Sequence, residues 1–171
     1  DQPTPVTARR ISHFEITDPA RTRFGALEFR SGLALASTHP DFGGFSGLRL
    51  SQQGKRLLAV TDSGDWLSAA VEATADGALT GLSDARIGPV LGSRGEKLAT
   101  NGRWDCESLA EGPEGTVYVG IERVNEIWRF DIGRDGLLAR GAQVPVPAGM
   151  RRWPANKGPE ALAVAPAGSP H

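Results

Sequence analysis

The chain writes one unit twice and begins it a third time. Phe45-Ser46-Gly47-Leu48 leads through Gly54 to Leu57-Leu58-Ala59-Val60-Thr61-Asp62. Cys106-Glu107-Ser108-Leu109-Ala110 leads through Gly115 to Val117-Tyr118-Val119-Gly120-Ile121-Glu122. Pro159-Glu160-Ala161-Leu162-Ala163 opens the same way. Each full unit reads as strand, glycine turn, strand, acidic residue. Eight residues separate Ser46 from Gly54 and Glu107 from Gly115, and the starts lie 61 and 53 residues apart. A long-period repeat of hairpins predicts a modular β-architecture, and among those it selects a propeller. The period exceeds the roughly 40–50 residues of an ordinary blade. The excess falls in two loops, Gly88–Arg103 and Val144–Pro154, and loops at repeat junctions are where binding sites tend to be built.

Composition agrees. Glycine (22) and proline (12) together make about a fifth of 171 residues, against roughly 12% on average. That favours many turns over long helices. Strands are predicted over Arg9–Ile16, Gly25–Phe29, Ser31–Leu35, Leu48–Leu50, Arg56–Thr61, Trp66–Glu72, Gly77–Leu82, Asp84–Pro89, Leu109–Ala110, Thr116–Glu122, Glu126–Ile132 and Gly141–Val146. Turns are predicted at Gln52-Gln53-Gly54, Asp62-Ser63-Gly64-Asp65 and Gly133-Arg134-Asp135-Gly136. No segment carries an apolar period of 3.6 over helical length. The net charge of −1 gives no electrostatic case for nucleic acid. No run approaches the roughly 18 apolar residues of a membrane span. The single cysteine, Cys106, leaves no internal disulfide and no cysteine-based zinc site, and reads as a small buried apolar group.

A closed propeller needs about 4–8 blades, whereas this chain supplies about three. The expectation is that residues 1–171 are the N-terminal half of one ring, cut in the Gly/Pro segment Ala165–His171, with the C-terminal half as its partner. The start, Asp1-Gln2-Pro3-Thr4-Pro5, is not a signal peptide and reads as a trimmed mature terminus.

Five motifs occur in order. They are Phe42-Gly43-Gly44-Phe45-Ser46-Gly47-Leu48, Thr61-Asp62-Ser63-Gly64-Asp65-Trp66, Asp105-Cys106-Glu107-Ser108-Leu109-Ala110, Ile121-Glu122-Arg123 with Ile127-Trp128-Arg129, and Asn156-Lys157-Gly158-Pro159-Glu160-Ala161-Leu162. Together they resemble the phytase-like propeller family described as "esterase-like activity of phytase". The resemblance runs from about Phe42 to Val164. It implies an exported protein, periplasmic or secreted, and calcium used to bind and activate phosphate esters. Cys106 departs from the pattern, standing where a small residue such as alanine is expected.

The acidic positions of the repeat are the candidate metal ligands: Glu107 and Glu160 where strands begin, Asp62 and Glu122 where the next strands end. Equivalent positions of successive blades converge on a propeller axis, and carboxylates so gathered repel unless a cation or arginine neutralises them. Oxygen-only ligands favour calcium or magnesium. The alternative is that they accept backbone hydrogen bonds in turns. Arg123, Lys157, Arg151 and Arg103, beside the acidic motifs or in the long loops, are the candidate contacts for a phosphorylated small molecule. Trp66 and Trp128 are expected between blades, and Trp104 and Trp153, beside the loop arginines, either form an aromatic-basic rim around a ligand or anchor the loops.

An esterase triad finds little support. Gly44-Phe45-Ser46-Gly47-Leu48 approaches a nucleophile elbow, but G-x-S-x-G fails at Leu48, and His39 is the one nearby histidine. Two functions follow. One is a calcium-dependent phosphoric-ester hydrolase, and the other is a non-catalytic propeller that binds a ligand or protein. No complete catalytic constellation decides between them.

Overall fold

The repeat folds into two antiparallel meanders that pack against each other. In the computed structural model, which describes residues 1–165, five short strands come first: β1 (Gln2–Pro3), β2 (Thr7–Ile11), β3 (Arg23–Phe24), β4 (Leu27–Glu28) and β5 (Gly32–Ala36). The first meander follows: β6 (Phe45–Ser51), β7 (Arg56–Thr61), β8 (Asp65–Ala73) and β9 (Leu79–Pro89). The second holds β10 (Cys106–Glu111), β11 (Thr116–Ile121) and β12 (Glu126–Asp131). A helical turn, α1 (Ile132–Asp135), leads on to β13 (Ala142–Val144). The sheet orders are β1-β9-β8-β7-β6 and β10-β11-β12-β13, with β2–β5 and β3–β4 as separate two-stranded ribbons.

The two repeat units share more than strand order. Both first strands carry a bulge at the same place, between Phe45 and Gly47 opposite β7 and between Cys106 and Ser108 opposite β11. Ser46 and Glu107 are therefore the extra residues, and bulges re-aim side chains. Both hairpins turn through left-handed backbone, at Gln53 and Gly54 (φ 60° and 85°) and at Glu114 and Gly115 (φ 56° and 73°). The extra residue between Gly54 and Asp62 is absorbed in the turn: Ser51 pairs with Arg56, whereas Gly112 donates to Thr116 O one residue sooner.

The core lies between the meanders. Val60 and Trp66 from the first meet Leu109, Val119, Ile121, Trp128 and Phe130 from the second. Trp66 is fully buried and stands edge-on to Phe130 at 5.2 Å. Each such side chain contributes about 1.5–3 kcal/mol by leaving water. Gly47 sits where the first strands of the two units, β6 and β10, meet. A Cβ there would lie 2.8 Å from Val60 and 2.9 Å from Leu109, so only glycine permits that approach. On the outer face of the first sheet, Leu67, Ala69 and Ile87 form a second cluster under Val6 and Phe42.

Three expectations shift. The strand expected to Ile16 ends at Ile11, because β5 offers partners only from Gly32 to Ala36, and Phe14 and Ile16 are exposed. The turn expected at Gly133–Gly136 is helical from Ile132 to Asp135. The third unit forms no strand: Pro159–Val164 runs past β6 and β10, held by Ser108 Oγ–H to Pro159 O (2.5 Å) and Arg49 to Leu162 O (3.3 Å). Of the expected cut segment, residues 166–171, including His171, lie outside the described residues.

Candidate metal centre

The bulges at the starts of β6 and β10 and the turns after β7 and β11 converge at one end of the meanders. Asp62 N–H donates to Gly44 O (2.8 Å), Asp105 N–H to Asp62 O (2.6 Å), and Glu122 N–H to Asp105 O (2.9 Å). This main-chain relay sets three acidic residues beside one another. Asp105 holds φ 71° and Gly44, its counterpart in the first unit, φ 56°. Aspartate tolerates that left-handed backbone better than most residues.

Carboxylate oxygens of Asp105, Glu107 and Glu122 lie within 4.8 Å of one another. Glu122 is buried and the other two half-buried. Asp62 and Glu160 stand outside that spacing. Asp62 accepts the Ser46 hydroxyl (2.5 Å), and its charge repels those of Asp105 and Glu107. Glu160 is exposed and lines the cleft next to Glu107. Glu122 Oε1 is further fixed by Gly158 N–H at 3.2 Å.

Gathering these groups perturbs them. Burial pushes the Asp105 carboxyl up, with Glu122 and Asp62 adding repulsion and Arg123 opposing it. Burial also raises Glu107, with Asp62, Asp105 and Glu122 adding to it against the Ser46 hydroxyl. Like charges held this way favour a bound cation. The spacing fits one: oxygens ligating calcium at about 2.3–2.6 Å can stand up to about 5 Å apart. The donor set is all oxygen, which suits calcium or magnesium rather than zinc.

The basic candidates separate. Arg123 is exposed and stacks on Trp104, its Cζ 4.3 Å from the ring centroid, beside Asp105. Arg103 is occupied by Glu126 through two bonds (2.8 and 3.1 Å), and Glu126 also takes the Trp128 N–H (2.8 Å). Lys157 lines a cleft with Trp153 and Glu160. Arg151 is exposed on the turn Met150–Arg152. Of the tryptophans, Trp66 and Trp128 are buried between the meanders, while Trp104 and Trp153 are exposed. Ser46 and His39 do not meet as a pair: the serine bonds Asp62, and His39 lines another pocket with Asp65 and Lys97.

Asp105 is the residue that reading by repeat position misses. Its signal was present in Asp105-Cys106-Glu107, as a non-glycine residue at the position where the first unit places Gly44. A family model described as "Phytase-like: Esterase-like activity of phytase" matches residues 40–170. No curated protein matches the chain.

Proposed function

This chain belongs to the Phytase-like family, and from that premise we propose that it is a calcium-dependent phosphoric-ester hydrolase. The observation that carries the reading is the set of three carboxylate oxygens within 4.8 Å, with an exposed guanidinium beside them. Asp105, Glu107 and Glu122 would hold the ion, with the charge of Asp62 nearby. Calcium held by them would supply positive charge for polarising a phosphoryl oxygen and lowering the pKa of water. Arg123 takes phosphate oxygens through its planar fork, which the Trp104 face keeps extended. Lys157 and Arg151 supply further charge for a substrate with several phosphates. Arg103 braces the site through Glu126.

Two coarser proposals accompany this one. The meanders are read as neighbouring blades of a larger propeller. The exposed Phe45, Leu48 and Leu50 of β6 (37, 47 and 52%) support that, since an apolar inner strand needs cover. Export to the periplasm or medium is supported by the family alone. Among the described residues no helix is long and apolar enough to cross a membrane.

The test is hydrolysis of p-nitrophenyl phosphate and p-nitrophenyl acetate by the full chain, with calcium and after its removal. The expected result is phosphate-ester hydrolysis that needs calcium and falls at least about a hundredfold in Glu107→Gln. Ligand binding without turnover of either ester would instead support the non-catalytic propeller.

A further inference from the structure

The strands that carry the carboxylates at one end carry a basic concavity at the other. The acids stand at the start of β10 and just past the ends of β7 and β11. A cleft of about 620 Å³ between the sheets is lined instead by Ser51 at the end of β6, Arg56 at the start of β7 and Glu111 at the end of β10. At about 3.3 Å per residue, Glu107 and Glu111 are about 13 Å apart along β10, so the two sites lie toward opposite ends of the strands, with Arg49 lining both this cleft and the smaller one beside Glu107 and Glu160. The volume falls within the range of small-molecule pockets, roughly 300–1,000 Å³.

Strand register builds the basic wall. Arg49 pairs with Leu58, Leu58 with Ser68 and Ser68 with Arg86, which makes one row across β6, β7, β8 and β9. Arg56 lies two residues from Leu58 on the same face and reaches Ser68 Oγ at 3.0 Å. All three arginines are half-buried. Arg86 holds the Asp1 carboxylate through two bonds of 2.9 and 3.1 Å. The other two meet only neutral acceptors: Arg49 donates to Leu48 O (2.9 Å) and Leu162 O (3.3 Å), and Arg56 to the Ser68 hydroxyl. Among the described residues neither has a carboxylate within ion-pair distance. With three arginines against the carboxylates of Asp1 and Glu111 in the lining, two of the guanidinium groups unpaired, the cleft focuses positive potential. Their forks match the planar oxygens of phosphate or carboxylate, and Asp1 on Arg86 shows such a group seated on the same wall.

We propose that the cleft between the sheets binds a small oxyanion, a phosphate- or carboxylate-bearing molecule, on Arg49 and Arg56, apart from the carboxylate centre. The probes are pyrophosphate and citrate, titrated calorimetrically into the full chain at low salt after passage over a chelating resin. One of the two is expected to bind saturably at one site, and which one identifies the chemistry. Affinity should fall at least tenfold in Arg49→Gln/Arg56→Gln and stay within twofold in Glu107→Gln. The bound probe should also protect Arg49 and Arg56 of the unaltered protein from phenylglyoxal, read by peptide mass. That second measurement decides the matter if the double variant does not fold. No saturable binding of either probe, equal affinity in a folded double variant, or modification unaffected by probe would each overturn the proposal.

Discussion

Calcium is expected to stabilise this protein by relieving repulsion among the gathered carboxylates. Two unit charges 4.8 Å apart repel by about 1 kcal/mol at the dielectric of water and about 3.5 kcal/mol at an effective value of 20. Asp105 and Glu107 are only half-buried, so the lower figure governs, and the three pairs together cost about 3 kcal/mol. A cation among the oxygens removes that cost. Calcium at 100 times its Kd stabilises by about 2.7 kcal/mol, which raises the Tm of a domain this size by about 5–11 °C. Thermal melts with and without calcium read this directly. Glu107→Gln gives the sharper result, because it removes two of the three repulsive pairs. It should melt a few degrees above the unaltered protein without calcium, yet gain little when calcium is added. If calcium leaves the Tm unchanged, or if Glu107→Gln melts lower without calcium and keeps the full shift, the electrostatic reasoning fails.

The same groups set the pH dependence. Asp105 and Glu107 are raised in the folded chain. Below the unfolded values, near about 4, both states hold the protons and no penalty exists. The penalty develops as pH rises from there through the raised folded values, so the metal-free protein loses this part of its stability over that interval. Calcium competes with those protons. Its stabilising shift should be large at pH 7.5 and shrink toward pH 4.5, while a shift that does not change with pH would place calcium elsewhere.

Arg123→Gln should raise KM for a phosphate ester while lowering the Tm only slightly, since an exposed cation–π contact is worth about 0.5–1 kcal/mol; Arg123→Lys should recover part of the KM. Gly120→Ala should destabilise by about 1–3 kcal/mol in a urea melt, because the new Cβ would strike Ser108 Oγ and stand 2.7 Å from Pro159 O. Cys106 is fully buried, and burial pushes its thiol up to about 12, so it should resist a thiol reagent at pH 8 in the native protein and react promptly in urea.

The hairpins were legible because each carries its own evidence: apolar alternation, a glycine turn and a second strand within about 20 residues. β1 was not, since its two residues pair with Arg86 and Ile87 of β9 far along the chain, and no local pattern encodes that. The buried and rim tryptophans were separable because Trp66 and Trp128 lie in strand patterns and Trp104 and Trp153 in loops. The arginines were not separable. Adjacency to acidic motifs makes Arg103 and Arg123 look alike, but Arg103 is filled by Glu126, 23 residues away, and Arg123 stays open on Trp104.

By the repeat, equivalent acidic positions of successive units were expected to converge on one axis. The tight group instead comes from a single unit, because Glu107 and Glu122 belong to one hairpin and Asp105 immediately precedes it. The first unit has the same bulge and the same relay yet contributes less charge: Gly44, Ser46 and Asp62 occupy the places of Asp105, Glu107 and Glu122. A hydroxyl bonded to one carboxylate satisfies itself, whereas three carboxylates at the same positions cannot. The backbone repeat therefore supplies the geometry twice, and the side chains turn only the second copy into a centre that calls for a cation.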